Sequence, residues 1–138
     1  MNKYNKLILY TDGGARGNPG PSGIGVVIFD EKGNIVDEIS KYIGNATNNQ
    51  AEYKALIAGL AKAKELDGQE IEVFLDSELV VKQLNREYRV KDQHLALLFV
   101  EAYNISISFK KIVFKHIPRE KNKLADKLVN LALDNAGK

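Results

Sequence analysis

The alternation of apolar and polar residues along the chain predicts five strands. Short apolar runs, several with a two-residue period, are typical of strands that are buried on one or both faces. They cover residues 6–12, 24–29, 35–43, 70–75 and 109–117. The first three runs follow one another closely, separated by a Gly-rich loop expected at 13–23 and a hairpin turn at 30–34. This spacing predicts an antiparallel meander at the start of the chain.

Helical patterns occupy the rest of the chain, at residues 48–66, 77–85, 93–103 and 123–135. Thr47, followed three residues later by Gln50, fits a capping box for the first of these helices, and Asp67-Gly68 ends it. Asn122 is the expected cap of the last helix. The order of elements predicts an α/β fold with one mixed sheet covered by helices.

Length and composition indicate one domain, residues 1–138, that can bury a core without disulfides. The chain has no cysteine, which excludes zinc-thiolate sites and thiol nucleophiles and is compatible with the expected cytoplasmic location. No apolar run approaches the roughly 18 residues of a membrane span. The N-terminus lacks the apolar stretch of a signal peptide. We therefore expect no membrane association.

The formal net charge is only +2, but positive charge is concentrated in the last third of the chain. Between residues 110 and 138, eight Lys and Arg stand against three acidic residues, a local net charge of +5. Such a surface could contact phosphates. A solvated helix face explains the same charges equally well.

Four acidic residues lie in apolar surroundings and are candidate metal ligands. Asp12 and Asp76 each end a predicted strand, and ligands of α/β sheets bind beyond the carboxyl ends of strands. Asp76 alone would also fit a helix N-cap. Asp126, in the first turn of the last helix beside Leu124, Ala125, Leu128, Leu131 and Ala132, would also fit a partner of the helix dipole.

Of the four acidic residues, Glu52 is the hardest to explain by a purely structural role. At helical spacing it shares a stripe with Leu56, Gly59, Leu60 and Ala63, which should face the core. A carboxylate buried there costs several kcal/mol unless it is paired or binds a metal. The helix geometry therefore indicates a functional Glu52.

A cluster of carboxylates suits phosphodiester hydrolysis. The reaction must deprotonate a water and stabilise a departing alkoxide, and two magnesium ions can do both. Magnesium prefers oxygen ligands. The chain has only two histidines, His94 and His116, so a His-based zinc hydrolase is disfavoured.

Four motifs resemble those of the ribonuclease H type 1 family, in order and over essentially the whole chain. They are TDGGARGNPGP at 11–21, TNNQAE at 47–52, LDS at 75–77 and NKLAD at 122–126. The first two are highly specific, whereas the last two would be weak alone. The competing interpretation of the Gly-rich loop as a nucleotide cradle is disfavoured, because the P-loop signature is absent and a strand follows.

The resemblance implies a five-stranded mixed sheet, with three antiparallel strands and then two parallel ones, and helices on both faces. It implies a monomeric metal-dependent endoribonuclease that hydrolyses the RNA strand of RNA/DNA hybrids and leaves 5′-phosphate and 3′-hydroxyl ends. The implied cofactor is Mg²⁺, as two ions with substrate, with Mn²⁺ as an alternative. Asp12 would bridge both ions, Asp126 would face the nucleophile-side ion, and Glu52 and Asp76 the leaving-group side.

The resemblance also implies substrate contacts in the first two motifs. Glycine lets a backbone approach nucleic acid closely, and an amide side chain can both donate to and accept from the 2′-hydroxyl that distinguishes RNA from DNA. Thr47 could contact a DNA phosphate as well as cap its helix. The implied contact residues are Gly13, Gly14, Ala15, Arg16, Asn18, Thr47, Asn48 and Asn49.

The chain departs from the family pattern in two places. Many bacterial members carry a basic, Trp-bearing protrusion, but this chain has no Trp, and residues 77–108 are too short for it. A short form without the protrusion or an N-terminal hybrid-binding domain is expected. The loop before Asp126 lacks the family's His, so Arg119 and Lys121 are candidate auxiliary residues, while His116 is expected to be structural.

Two other functions are compatible with parts of the pattern. One is a nuclease of the same fold that cuts DNA, such as a resolvase or a transposase-like protein, which the TNNQAE motif disfavours. The other is a non-catalytic nucleic-acid-binding module, which would be expected to lack at least one of the four carboxylates.

Overall fold

A computed structural model describes residues 4–138. A short 3-10 helix, Arg119–Lys121, precedes the last α-helix. The strands and α-helices follow in the order β1 Tyr4–Ala15, β2 Gly20–Asp30, β3 Ile35–Ala46, α1 Asn48–Glu65, β4 Gly68–Leu75, α2 Glu78–Leu84, α3 Gln93–Ser106, β5 Lys111–His116 and α4 Lys123–Asn135.

The five strands form one mixed sheet in the order β3-β2-β1-β4-β5, which confirms the predicted fold class. β1 pairs antiparallel with β2, and β2 antiparallel with β3, whereas β4 is parallel to both β1 and β5. Thr11 on β1 is in register with Leu75 on β4. Asp12 follows Thr11 and Asp76 follows Leu75, so the two carboxylates lie side by side where this parallel pairing ends.

Helices cover both faces of the sheet. On one face, α1 packs over β1 and β2, where Gly59 approaches Leu9 and Val26 closely, and α3 packs against α1. On the other face, α4 crosses β1, β2 and β3. At Gly25 a methyl group would overlap the backbone of Ala125 on α4. The absence of a side chain at this position lets α4 approach the sheet.

The Gly-rich segment is shorter as a loop than the sequence suggested. β1 continues to Ala15 and β2 begins at Gly20, so the expected loop at 13–23 is wrong and only residues 16–19 connect the strands. Gly13 pairs with Ile24 in the ladder. A methyl group on Gly13 would overlap the carbonyl of Ala51 on α1. The glycine in this strand therefore serves a close helix–strand approach rather than a turn.

The capping box at the start of α1 is confirmed. The Gln50 backbone N–H donates to Thr47 Oγ1 at 3.1 Å, and the Thr47 N–H donates to Gln50 Oε1 at 2.9 Å. At the other end of the helix, Asp67 adopts the left-handed conformation with φ of 60°. Gly68, expected to end the helix, is instead the first residue of β4.

Two other candidate caps make no capping hydrogen bond with their side chains. Ser77, not Asp76, caps α2, since its Oγ accepts from the Val80 N–H at 3.3 Å. Asn122 occupies the N-cap position of α4 but makes no capping hydrogen bond with its side chain. Both Asp76 and Asn122 thus direct their side chains elsewhere.

Residues 85–92 alone join α2 to α3, which agrees with the expected absence of a helical protrusion between them. Among the helices of residues 4–138, none has the length and apolar character needed to cross a membrane.

Candidate active site

Three of the four candidate carboxylates meet where the parallel pairing of β1 with β4 ends, at Thr11 and Leu75. The strand β1 itself continues to Ala15, so the prediction that Asp12 ends its strand is wrong. Asp12 lies on β1, Asp76 follows the last residue of β4, and Glu52 is on the first turns of α1. One oxygen from each carboxylate lies within 4.8 Å of the others. The sequence placed these residues on different elements, and the parallel pairing of β1 with β4 brings them together.

Glu52 is as deeply buried as its helical stripe indicated. Its exposed fraction is 7%, and that of Asp12 is 6%. Glu52 Oε1 accepts a long hydrogen bond from the Gly13 N–H at 3.5 Å. Glu52 Oε2 is buried and has no hydrogen-bond partner in the described part of the chain. An unsatisfied carboxylate oxygen in this position is costly unless something binds it.

Burial and mutual repulsion make the cluster hold protons tightly. Burial raises the pKa of Asp12 to about 7, with Asp76 and Asp126 adding repulsion. Burial, followed by the charge of Asp12, raises the pKa of Glu52 well above its usual value. Burial also raises the pKa of Asp76, against the opposing hydrogen bond from Asn122. A cation in the cluster would relieve this repulsion and displace the protons.

Asp126 lies at the rim of the same cleft, outside the cluster of three. Its Oδ2 lies 3.4 Å from Asn130 Nδ2, and its Oδ1 lies 3.8 Å from Arg119 Nη2. The apolar face expected around it is partly wrong, because Leu124 and Leu131 are about half exposed. The residues that α4 buries are Ala125, Val129, Ala132 and Leu133.

The donor set of the cluster fits a hard divalent cation. All of its donors are carboxylate oxygens, the ligands that Mg²⁺ prefers. One of them, Glu52 Oε2, lacks any other partner. The described residues of the cleft thus offer a place for a divalent metal ion next to Asp12, Glu52 and Asp76.

Most of the predicted substrate-binding residues line the cleft or the groove beside it. The cleft has a volume of about 420 Å³, and Gly13, Gly14, Ala15, Arg16 and Asn48 contribute to its wall. An adjoining groove of about 450 Å³ is lined by Asn18, Thr47, Asn48 and Asn49, among others. Asn48 borders both, so the two form one continuous candidate surface.

Hydrogen bonds fasten the loop after β1 to the start of α1. Asn48 Oδ1 accepts from the Ala15 N–H at 2.9 Å, and Asn18 Oδ1 accepts from the Asn48 N–H at 3.0 Å. These amide side chains therefore fix the loop against the helix. They hold the two sequence motifs in a defined relative position.

Arg16 is fastened to α4. Its Nη1 lies 2.9 Å from Asp134 Oδ1, and its Nη2 donates to Asn130 Oδ1 at 3.1 Å. Asn130 also approaches Asp126 and thereby connects the loop to the fourth carboxylate. Asn130 was not among the predicted site residues, although its place four residues after Asp126 on a helix was an available signal.

Asn122 is a second site residue that was not predicted from the sequence. Its side chain is 1% exposed. Its Nδ2 donates to the Thr11 carbonyl at 2.9 Å and to Asp76 Oδ2 at 3.2 Å. No local pattern reveals these long-range partners, because the helix-cap preference of Asn accounts for the sequence equally well.

The candidate auxiliary residues occupy different places. Arg119 is 82% exposed in its side chain and lines the carboxylate cleft. Lys121 lines a separate groove beside Tyr10 and Phe29, so the structure does not bring it to the carboxylates. His116 is exposed at the end of β5, in register with Leu75, and its structural role stays a prediction.

The basic residues of the last third are all on the surface. Lys115 forms an ion pair with Glu72 at 2.7 Å, and Arg119 lies near Asp126. Their exposure is compatible with phosphate contacts and equally with a solvated face. The role of this surface stays a prediction.

Comparison with known proteins identifies the family of this chain. A family model described as reverse transcriptase-like matches residues 10–132. The Bifunctional protein Rv2228c of Mycobacterium tuberculosis is 42% identical over 132 residues, which are 95% of this chain and 36% of that protein. The chain thus spans about a third of the length of this relative.

Two further relatives cover nearly the whole chain. Ribonuclease HI of Halobacterium salinarum is 45% identical over 131 residues, which are 95% of this chain and 66% of that protein. The solved structure of LC11-RNase H1 in complex with an RNA/DNA hybrid is 52% identical, with a TM-score of 0.90, over 96% of this chain and 99% of that one. With its four motifs on the matching fold, the chain belongs to the type 1 ribonuclease H family.

Proposed function

We propose that residues 1–138 form a single catalytic domain that hydrolyses the RNA strand of RNA/DNA hybrids. The observation that carries the proposal is the cluster of Asp12, Glu52 and Asp76, whose oxygens lie within 4.8 Å of one another beside a cleft. Membership of the ribonuclease H family supports the same reaction. The relative LC11-RNase H1 was solved with an RNA/DNA hybrid.

The cofactor that we propose is Mg²⁺, as two ions with substrate, with Mn²⁺ as an alternative. Asp12, Glu52, Asp76 and Asp126 would hold them. When bound, such ions lower the pKa of the attacking water and neutralise charge on the departing oxygen. The resemblance to the family supports the expected 5′-phosphate and 3′-hydroxyl ends.

The residues of the chain have distinct proposed tasks in this reaction. Asp12 contributes the central carboxylate, since the other three carboxylates all lie close enough to act on its pKa. The Gly13 N–H orients Glu52 through its hydrogen bond. Asp126, held at the rim by Asn130, completes the set from the side of α4.

Recognition of the RNA strand is assigned to the surface between the loop after β1 and the start of α1. Asn18, Asn48 and Asn49 line it, together with Thr47 and the backbone of Gly13, Gly14, Ala15 and Arg16. Amide groups at this surface can bind a 2′-hydroxyl across the shallow minor groove of a hybrid. Because Asn48 also borders the carboxylate cleft, the recognised sugar would lie close to the scissile phosphate.

A cleavage panel tests the proposal. The substrates are an end-labelled hybrid, duplex RNA, duplex DNA and a DNA duplex with one embedded ribonucleotide, each with MgCl₂, with MnCl₂ and with EDTA. We expect cleavage of the RNA strand of the hybrid with metal and none with EDTA. Cleavage of DNA, or cleavage that persists in EDTA, would contradict the proposed activity.

We also propose that the protein acts as a monomer in the cytoplasm. The absence of cysteine is compatible with a reducing compartment. Size-exclusion chromatography with light scattering should give a mass near 15.4 kDa. A mass of twice that value would contradict the monomer.

A further inference from the structure

Asn122 connects three of the four segments that carry the candidate carboxylates. One hydrogen of its side-chain amide is donated to the carbonyl of Thr11, the residue before Asp12. The other is donated to Asp76 Oδ2. Its backbone carbonyl accepts from the Asp126 N–H at 3.1 Å. One residue thus fixes the end of β1, the carboxylate after β4 and the first turn of α4 relative to one another.

The environment of Asn122 indicates that its two N–H groups are what this position requires. The residue is 1% exposed, and its Oδ1 is buried without a hydrogen-bond partner in the described part of the chain. A buried, unpaired amide oxygen destabilises a fold. A helix cap alone would not require this burial, and the side chain makes no capping bond.

The hydrogen bond to Asp76 restricts the rotation of that carboxylate. Asp76 is only half-buried, and no capping role holds it, because Ser77 caps α2. Asn122 Nδ2 donates to one of its oxygens, and the Thr11 carbonyl holds the amide itself in place. Partners of this kind orient the ligands of metal sites.

We propose that Asn122 is a positioning residue that fixes Asp76, relative to Asp12 and Asp126, in the geometry that binds a divalent cation. This inference rests on the proposed function. It predicts that removal of the amide weakens metal binding by the free protein and slows cleavage, while the hybrid still binds. Loss of an outer partner of a metal ligand typically reduces metal affinity or activity by about 10–100-fold.

The test uses the full chain with Asn122→Ala and Asn122→Ser, the second of which keeps one short donor. Gln83→Ala is the matched control, because Gln83 is also a buried amide, 5% exposed, that accepts from the Tyr53 hydroxyl at 2.6 Å and lines no part of the cleft. Thermal unfolding measures the stability of each variant. Calorimetric titration with MgCl₂, without nucleic acid, measures metal affinity, and hybrid cleavage gives kcat and KM.

We expect Asn122→Ala to lower Mg²⁺ affinity and kcat by about 10-fold or more with KM for the hybrid within about twofold. Asn122→Ser should lie between Asn122→Ala and the wild type, and Gln83→Ala should retain wild-type metal affinity. Normal metal affinity in a folded Asn122→Ala protein would overturn the inference. If Asn122→Ala does not fold, wild-type metal affinity of Asn122→Ser would overturn it.

A purely structural role would give a different result. In that case Asn122→Ala and Gln83→Ala would lose metal affinity and kcat in proportion to their loss of stability, which also overturns the inference. Failure of the proposed function would look different from either of these outcomes for Asn122, because the wild-type protein itself would then not cleave the hybrid.

Discussion

The junction of β1 with α1 and the outer surface of α3 differ sharply in how tightly they are packed. At the junction, Ala51 is fully buried, and Gly13 has no room for a methyl group. On α3, Leu97 is 72% exposed and Val100 is 51% exposed, while Ala102 on the inner side is fully buried. The helices α1 and α3 lie on the same face of the sheet, yet only the junction of α1 with β1 brings carboxylates together.

The difference shows where the fold cannot accommodate a larger side chain. Two backbones must approach closely at the junction, because Glu52 on α1 has to reach Asp12 on β1. The helix α3 has only to cover α1, so its outer positions are unconstrained by packing. Substitutions at the junction should therefore affect chemistry and folding strongly, and those on the outside of α3 should affect neither.

The largest expected effect is the loss of catalysis caused by the substitution Asp12→Asn. Removal of the central carboxylate should lower kcat/KM for hybrid cleavage by at least about 1,000-fold, since a metal supplies several kcal/mol of transition-state stabilisation. The fold should survive, because the substitution relieves repulsion with Glu52 and Asp76. Kinetics and circular dichroism measure the two effects. Asp37→Asn is the control and should retain activity, because Asp37 lies on β3 and forms an ion pair with Lys62. Undiminished cleavage by Asp12→Asn would refute the mechanism.

The next effect compares two neighbouring glycines. Gly13→Ala should destabilise the fold by more than about 3 kcal/mol, because the new methyl overlaps the Ala51 backbone, which cannot move as a side chain can. Gly14→Ala should fold, since its methyl would meet Val129 Cγ1 at an ordinary distance of 3.6 Å. Urea unfolding measures both. Equal stabilities would show that the junction is less tight than its contacts indicate.

Stability without metal should depend on pH through Asp12. Burial raises the pKa of Asp12 from 3.8 to about 7, so between these values the folded state binds more protons than the unfolded state. The free energy of unfolding should therefore fall as pH rises from about 4 to 7, by roughly 2–3 kcal/mol. Urea unfolding in EDTA measures the dependence. Asp12→Asn should reduce the slope without abolishing it, because burial also raises the pKa values of Glu52 and Asp76. An unchanged slope in that variant would contradict the assignment to Asp12.

The smallest effect is expected on the outer surface of α3. Leu97→Ser should change the free energy of unfolding by less than about 0.5 kcal/mol, because the side chain is already mostly in water. Ala102→Leu, on the inner side of the same helix, should cost about 1–3 kcal/mol through overpacking. Thermal unfolding of the pair compares the two sides. A large loss for Leu97→Ser would show that this surface is covered in the native protein.

Much of the fold could be predicted from the sequence, because period and capping signals are local. The box of Thr47 and Gln50, the strand patterns and the buried stripe of Glu52 all depend on residues a few positions apart. Gly13 was misjudged for the same reason. Glycine in a turn and glycine under a crossing helix look identical until the partner helix is placed.

The site was only partly predictable, because its remaining contacts join distant parts of the chain. Asn122 has the sequence environment of a cap, and only the pairing of β1 with β4 places Thr11 and Asp76 within its reach. Asn130 likewise joins the site through a long-range contact, because its side chain accepts a hydrogen bond from Arg16. On α3, hydrophobic character alone did not distinguish Leu97, which faces water, from Ala102, which is buried.

The hydrogen bond between Asn122 and Thr11 also bears on the order of events during synthesis. It joins residues 111 positions apart, so it can form only after residue 122 has emerged from the ribosome. Contacts of such long sequence separation generally form late in folding. Strands β1 to β3 can pair before then, but Asp76 and Asp126 are not yet fastened to Asp12. A nascent chain beside ribosomal RNA would therefore not yet have an assembled nuclease site.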